Sequence, residues 1–242
     1  MNIIISPSTI PSFNLPAEEY LFSQKNEDFL FLYVNDPSVI IGSNQAVINE
    51  VDIDFCIEYD ISVIRRLSGG GAVYHDKGNL NYSFIHNKTG EPLSANFLNP
   101  IVETLHSLGI PAVIGKRKDI WLDAYKISGT ASHISRGREL HHGTLLYDTD
   151  LDVLQKALSS KQKNTIKRAT ASVPSPVINI KTFLLESRGS APDITQFTKN
   201  IIKSLLSYYR SDKRLKLQEK DIEVIETLRK AKYIQRDWNY RM

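Results

Sequence analysis

The sequence predicts an α+β domain with a mixed, mostly antiparallel sheet flanked by helices, and three observations lead there. The chain has 242 residues, 41% hydrophobic and 24% charged, enough apolar material for one substantial core. Short β-rich runs cluster at 63–64, 72–74, 80–85, 120–122, 125–128 and 143–147, joined by turns containing Gly and Asp. Helical patterns lie around those runs without the strict alternation of a doubly wound sheet.

Taken in order, Pro16 followed by Ala17, Glu18 and Glu19 reads as a helix start, with proline in the first turn and acids at the positive end of the dipole. Residues 29–34 read as a buried strand and 39–42 as a second. Residues 49–59 place Val51, Phe55 and Tyr59 on one face with acids between, an amphipathic helix. The runs at 63–64, 72–74 and 80–85 then form an antiparallel group. Residues 100–108 read as a helix capped by Asn99 and closed by Gly109, with Pro111 beyond it. The later strand runs follow, then a helix over 151–158. Between 159 and 170 the chain turns polar and basic (Lys161, Lys163, Lys167, Arg168), which predicts a mobile connection. Two amphipathic helices, 194–209 and 219–232, complete the reading.

A net charge of +3 implies neither a general nucleic-acid partner nor a membrane partner, though it leaves room for a local positive pocket. No run approaches the ~20 apolar residues of a transmembrane helix. The N-terminus lacks the basic region of a secretory signal, so a cytoplasmic location is expected. The single cysteine, Cys56, cannot form an internal disulfide, and no Cys/His cluster has zinc spacing.

The most informative stretch is Arg65-Arg66-Leu67-Ser68-Gly69-Gly70-Gly71-Ala72-Val73-Tyr74-His75. Three consecutive glycines between strands cost conformational entropy, so the geometry needs positive φ or a ligand lying on bare backbone. The adjacent arginines and serine add fixed charge and donors, a combination that holds a phosphate or carboxylate. A tight hairpin turn is the alternative use of such a run. Neither common nucleotide loop is present: GGGAVY fails G-x-G-x-x-G, and no G-x-x-x-x-G-K-[ST] occurs.

A second stretch runs Lys118-Asp119-Ile120-Trp121-Leu122, then Lys126-Ile127-Ser128-Gly129-Thr130-Ala131-Ser132. Asp119 at a strand entrance offers a magnesium ligand, and Lys126 an ammonium for a phosphate oxygen. Taken singly, either would be read as an exposed turn acid or a solvated lysine. In the third stretch, Leu140-His141-His142-Gly143-Thr144, paired histidines could be ligands, but no third metal ligand stands at zinc spacing, and His142 reads as a pocket wall. Ser68, His75 and Asp76 could be grouped as a hydrolase triad, although Ser68 lacks the G-x-S-x-G elbow.

In order and at these separations, the stretches resemble the lipoate-protein ligase A family, within the wider biotin and lipoate ligase fold. The similar pieces are NLPAEE at 14–19, IGSNQ at 41–45, residues 65–76 with Gly78-Asn79, KISGTA at 126–131 and HHGTLL at 141–146. Residues 173–180 and Trp238-Asn239-Tyr240 are similar to the family's later segments, so the resemblance covers nearly the whole chain. It implies a class II biotin/lipoate ligase-like catalytic domain over 1–242, with a core to about 185, C-terminal helices from about 190, and no C-terminal accessory domain.

The implied activity is ATP-dependent activation of lipoate to lipoyl-AMP, followed by transfer to a lysine of a lipoyl domain of 2-oxoacid dehydrogenase E2 or of glycine-cleavage H protein. By the resemblance, Lys126 contacts the carbonyl and phosphate oxygens, Asp119 positions Mg2+, and Arg66 holds the phosphate side. Gly70 and Gly71 let the ligand lie on the backbone, and Val73, Tyr74, His75 and His142 line the pocket with Asn79 nearby. The implied lipoate and adenylate site also takes in Ser68, Gly69, Ala72, Ser128, Gly129, Ala131 and Gly143. The family's R-N-D reads Arg117-Lys118-Asp119 here, so a positive side chain is expected beside the nucleotide.

A lipoyl-AMP amidotransferase, or one subunit of a two-part ligase with a separate small accessory protein, is the alternative reading. Octanoyltransferases share the fold but use a cysteine nucleophile well downstream of the His-Gly stretch, where this chain has none. The G-R-G-R loop of biotin ligases is also absent. Arg136, Arg138 and the basic residues of 161–168 either recognise acidic carriers or are simply solvated.

Overall fold

Strands whose residues are buried on both faces organise the molecule, which we describe from a computed structural model covering residues 1–88, 95–163, 165–210 and 214–241. The first half holds β1 (Asn2–Ile5), α1 (Pro11–Gln24), β2 (Phe29–Tyr33), β3 (Ser38–Ile41), α2 (Val47–Glu50), α3 (Ile53–Glu58), β4 (Ser62–Arg65), β5 (Val73–His75) and β6 (Asn79–Asn87). A short 3-10 turn at Ala95–Leu98 leads into α4 (Asn99–Ser107), β7 (Val113–Ile114), β8 (Ile120–Leu122), β9 (Tyr125–Ser128), β10 (Thr130–Ser135), β11 (Arg138–Leu146) and α5 (Leu151–Ala157). The chain continues through α6 (Ile180–Arg188), α7 (Ile194–Tyr208), β12 (Arg214–Leu215), α8 (Glu219–Leu228), a π-helical turn at Arg229–Tyr233 and α9 (Arg236–Asn239).

The main sheet has the order β10-β11-β6-β2-β1-β12. Its first four strands pair antiparallel, whereas β1 runs parallel to both β2 and β12, so the sheet is mixed. Two three-stranded sheets accompany it, β4-β3-β5 and β7-β8-β9.

The period of two in β2 shows how the layers form. Leu30 and Leu32 face a core with Leu80, Tyr82 and Phe84 of β6, Ile101 and Leu105 of α4, and Phe197, Ile201 and Leu205 of α7. Phe29, Phe31 and Tyr33 face the other side, against Phe13, Ala17 and Leu21 of α1 and Ile225 of α8. Each such side chain contributes about 2 kcal/mol on leaving water. A separate cluster of Val39, Val63, Tyr74, Val47, Cys56 and Ala157 joins the β4-β3-β5 sheet to α2, α3 and α5. The Cys56 thiol is buried there, and burial pushes its pKa up to about 11, which suits a packing residue rather than a nucleophile.

Several boundaries differ from expectation for identifiable reasons. The first helix begins at Pro11, which takes the favoured first-turn position, and Pro16 lies inside it. The helix expected over 49–59 breaks in two, because the Asp52 carboxylate accepts from the Phe55 N–H and starts α3 afresh. The helix over 219–232 ends at Leu228 and passes into the π-helical turn. Neither β1 nor α6 was anticipated: β1 is four residues long and is held by neighbours distant in sequence. The described residues of 159–170 form no helix or strand, but they are tied down. Ser160 Oγ donates to the Ile48 carbonyl, and the Asn49 side chain both donates to and accepts from the Ile166 backbone. Among the described residues no helix is long and apolar enough to cross a membrane.

Candidate active site

The glycine run is placed by β3 and β4, whose parallel pairing sets Ile41 beside Arg65 at the strand ends. There Gly42 meets the run so closely that a Cβ on Gly42 would lie 2.2 Å from the Gly70 carbonyl oxygen. Gly70 itself has φ +86°, a conformation open to glycine at little cost.

The two arginines have different tasks. Arg65 is fully buried, and its guanidinium donates to the carbonyls of Gly42, Gln45, Trp238, Asn239 and Arg241. Trp238 Nε1 donates back to the Arg65 carbonyl and the Arg65 N–H donates to Asn239 Oδ1, so the C-terminal Trp-Asn pair is a lock on this strand end. Arg66 turns inward. Its Nε donates to Ser68 Oγ at 2.9 Å, Nη1 to the Ile40 carbonyl, and Nη2 to the carbonyls of Gly69 and Gly71 at 2.6 and 2.8 Å. Drawing these carbonyls toward itself, Arg66 shapes the loop. Burial lowers its pKa to about 10, which leaves it cationic at neutral pH.

A hydrogen-bond chain continues from that charge. Ser68 Oγ and His142 Nε2 share a bond of 2.6 Å, and His142 Nδ1 donates to both carboxylate oxygens of Glu18 at 3.0 and 3.1 Å. Tyr33 and Ser83 hydroxyls also donate to Glu18. Burial alone would raise the Glu18 pKa, but His142 and the two hydroxyls hold it below the ordinary value. The carboxylate therefore counters Arg66 across the chain. Ser68 has no exposed surface and accepts from Arg66, so this Ser-His-Glu series positions the loop rather than supplying a nucleophile. His75 and Asp76, grouped with Ser68 in the sequence, lie elsewhere in the network. His75 Nδ1 accepts from the Asn35 amide, and Asp76 accepts from the N–H groups of Gly78 and Asp150.

The β8–β9 pairing aligns Trp121 with Lys126 and brings Asp119, just before β8, to within reach of the lysine. Lys126 Nζ lies 3.4 Å from Asp119 Oδ2, with Arg117 Nη2 at 3.9 Å on the more exposed side. Burial raises the Asp119 pKa, but donation from the Trp121 indole and the Lys126 charge bring it below the ordinary value. Oδ2 is buried and, apart from these ion pairs, has no hydrogen-bond partner among the described residues.

A cleft of about 330 Å³ gathers these parts. Arg66, Gly70, Gly71, Ala72, Val73 and His75 line it from the glycine run, Asp119, Lys126, Gly129 and Ala131 from the hairpin and its exit, and His142 and Gly143 from β11. Burial and the neighbouring Arg66 charge press the His75 pKa to about 3. Its Nε2 is buried without a hydrogen-bond partner among the described residues.

Other expected residues lie outside the lining. Tyr74 points the opposite way from Val73 and His75, as strand alternation demands, into the β4-β3-β5 cluster. Ser68 is buried behind the loop, Gly69 is half-buried and faces open space away from the lining, and Ser128 bonds the Tyr82 hydroxyl at 3.1 Å beneath the cleft. Asn79 is fully buried and donates to Asn81, and it is Asn81 that reaches the cleft. The expectation that Arg66 faces the phosphate side is modified by the four bonds it makes to its own loop and strand. Lys118 does not line the cleft; its φ is +58°, a backbone position that asparagine accepts more readily than lysine. Arg138 is buried and donates to the carbonyls of Asn26 and Glu27 and to the Asn87 amide oxygen, which removes it from any docking surface.

Sequence reasoning missed Glu18, Asn35, Asn81 and the strap at 170–173. Glu18 carried a signal, an acid three residues after Leu15 and four before Phe22 on the core-facing stripe of α1. The strap carried none. Ser172 Oγ accepts from the Ala72 N–H at 2.9 Å and from Gln45 Nε2 at 3.1 Å, and Thr170 donates to the Asn44 carbonyl. Residues from Thr170 to Val173 thus form one wall of the cleft.

Known proteins resemble this chain over most of its length. The family model for the lipoyl protein ligase A/B catalytic domain matches residues 10–206. Lipoate-protein ligase LplJ of Bacillus subtilis (strain 168) is 38% identical over 236 residues, spanning 95% of this chain and 70% of its own. A chain of the lipoylation system of Thermoplasma acidophilum, a bi-partite lipoate protein ligase and its E2 lipoyl domain, superimposes with a TM-score of 0.82 at 25% identity, covering 99% of this chain and 95% of that one. Lipoate-protein ligase A bound with ATP superimposes with a TM-score of 0.81 at 26% identity, over 99% of this chain and 98% of that one. With a family match over most of its length and a glycine loop, lysine and buried acid meeting in one cleft, the chain belongs to the lipoyl protein ligase A/B catalytic domain family.

Proposed function

We propose that this cleft joins lipoate to AMP and passes the acyl group to a lysine of a carrier protein. The observation that carries the reading is Lys126 Nζ, set 3.4 Å from Asp119 in the cleft shared with the glycine run. In the first step a lipoate carboxylate oxygen attacks the α-phosphorus of ATP; the new P–O bond forms as the bond to pyrophosphate breaks. In the second, the carrier lysine amine attacks the acyl carbonyl, the acyl C–O bond of the mixed anhydride breaks so that AMP leaves with the bridging oxygen, and the amine's proton passes to solvent. Both steps load negative charge onto oxygens, which a fixed ammonium shielded from bulk water stabilises most.

Lys126 is the group for that charge, and Asp119 holds it in place. The bare backbone of Gly70 and Gly71 lets the adenylate lie against the loop that Arg66 braces. The Nε2–H of His75 offers an acceptor on the acyl ligand an otherwise unsatisfied donor. The buried Asp119 Oδ2, unpartnered by hydrogen bonds, suits a magnesium ion, which when bound would neutralise phosphate charge. The carrier is a lipoyl domain, of a 2-oxoacid dehydrogenase E2 or of the glycine-cleavage H type.

The test is to incubate the purified chain with ATP, magnesium and lipoate and follow pyrophosphate and lipoyl-AMP by mass spectrometry. The native chain should form adenylate, and Lys126→Ala should lose about 3 kcal/mol of transition-state stabilisation, 10²–10³-fold in rate. Equal rates in the two proteins would overturn the role given to Lys126. The similarity to a bi-partite ligase supports a second reading, in which activation needs a separate subunit. In that case the isolated chain makes no adenylate but transfers supplied lipoyl-AMP to a lipoyl domain.

A further inference from the structure

Beside the cleft, on the face of the main sheet that carries α4, a second group of chemistry-bearing side chains converges. His86 of β6 stands directly across from Glu139 of β11, and His141 follows Glu139 by two residues, so strand alternation places all three on one face. One ligand atom from each lies within 4.8 Å of the other two. None of the three lines the cleft.

The detailed hydrogen bonding suits a cation. Glu139 is 3% exposed; its Oε2 lies 2.8 Å from His141 Nε2, whereas its Oε1 is buried with no hydrogen-bond partner among the described residues. An unsatisfied carboxylate oxygen in a protein interior is costly, and a bound cation removes that cost. Both imidazoles already have an outer partner. His86 Nδ1 meets the Asn87 carbonyl at 3.0 Å, which can only accept, so the proton is on Nδ1 and the Nε2 lone pair is free. His141 Nδ1 meets Ser132 Oγ at 2.7 Å, and a hydroxyl can turn to accept, which frees the Nε2 lone pair of His141 as well. An imidazole whose second nitrogen is fixed by a carbonyl or hydroxyl is the usual setting of a metal-ligating histidine. Phe97 stacks on the His141 ring, with centroids 4.2 Å apart and planes 10° from parallel, and holds its orientation.

We propose that His86, Glu139 and His141 form a divalent-metal site of the zinc type that clamps β6 to β11, separate from the cleft and independent of any magnesium held there. Two imidazoles and one carboxylate are a zinc ligand set, with water in the fourth position. The ion takes the place of the proton between His141 and Glu139; as Nε2 gives up that proton Nδ1 takes one up, so the ring stays neutral and donates to Ser132 Oγ with no net proton released. His86 is the partly exposed member, so it provides the entry and the adjustment that draws the three atoms onto one tetrahedral ion. The sequence offered only His141 and His142 as a histidine pair; the sheet separates these two onto opposite faces and supplies the other ligands from two residues away and from across the strand pair. The proposal rests on these residues alone, not on the ligase reading.

The experiment is a zinc titration of the metal-free chain by calorimetry and by thermal unfolding, repeated with His86→Ala, Glu139→Gln and Asp119→Asn. The native chain should bind one zinc ion and unfold about 5 °C higher when the ion is in large excess. His86→Ala, at a partly exposed position that should leave the fold intact, should weaken binding at least ~10-fold and abolish the thermal shift. Glu139→Gln should do the same, and Asp119→Asn should bind as the native chain does. No thermal shift in the native chain, an equal shift in His86→Ala, or loss of binding in Asp119→Asn would each overturn the assignment.

Discussion

The side-chain amide of Asn35 donates to Nδ1 of His75 across 3.0 Å, and that bond decides which face of the imidazole the cleft sees. The Asn35 oxygen is occupied by the Asn14 amide at 2.8 Å, which fixes the Asn35 nitrogen as donor toward the ring. His75 is therefore neutral, with its proton on Nε2.

This makes stability depend on pH in a defined window. The His75 pKa falls from 6.5 to about 3 on folding, so between those values the unfolded chain binds more protons than the folded one. Stability contributed by the neutral ring is complete above about 6.5 and is lost as pH falls toward about 3, by at most ~1.4 kcal/mol per pH unit. Urea midpoints measured from pH 7 to pH 4 should fall more steeply for the native chain than for His75→Gln. Identical slopes would show that His75 does not titrate in this way.

Glu18 is the shared acceptor for His142, Tyr33 and Ser83, and three buried donors depend on it. Glu18→Ala should lower the unfolding free energy by about 3–5 kcal/mol, since it strands those donors and leaves Arg66 without its countercharge. Glu18→Gln should cost less, because one acceptor oxygen survives. A loss of under ~1 kcal/mol for the alanine variant would contradict the network.

Gly42→Ala tests the packing of the glycine run directly. The new methyl would sit 2.2 Å from the Gly70 carbonyl, which must move and take its loop with it. The variant should remain folded with adenylate formation reduced at least ~10-fold, because small displacements of a binding loop are amplified in rate. Unchanged kinetics in a well-folded Gly42→Ala protein would mean that the loop position is not critical.

Lys118→Asn should stabilise the protein by about 0.5 kcal/mol, since asparagine tolerates the left-handed backbone at φ +58° better than lysine. Adenylate formation should not change, because the Lys118 side chain does not line the cleft. A rate change without a stability change would restore Lys118 to the nucleotide site.

Legibility varied with the range of the interaction. The strands at 29–34 and 120–128 were readable because short apolar runs and turn residues are local properties, and the helix at 194–209 because its apolar stripe repeats within a few residues. The N-terminal strand was not, for its four residues carry no pattern that a pairing 27 residues away could announce. In the site, Lys126, Asp119 and the glycine run stood out by residue type and order, whereas Asn35 and the strap serine Ser172 look like any loop polar residues until the chain folds around them.

By itself the sequence determined the α+β class through short-range periodicity, singled out the glycine run by its residue types, and excluded a cysteine nucleophile downstream of the His-Gly stretch; Lys126 and Asp119 gained a role there only through their order alongside that run in the family resemblance. Tertiary structure alone decided that Arg65 locks the C-terminal Trp-Asn pair while Arg66 braces the loop, that His142 answers to Glu18, and that His141 turns away toward Glu139 and His86. These are choices among partners separated by tens to hundreds of residues. Burial selects them through the cost of an unpaired polar group, and that cost arises only when the core has formed.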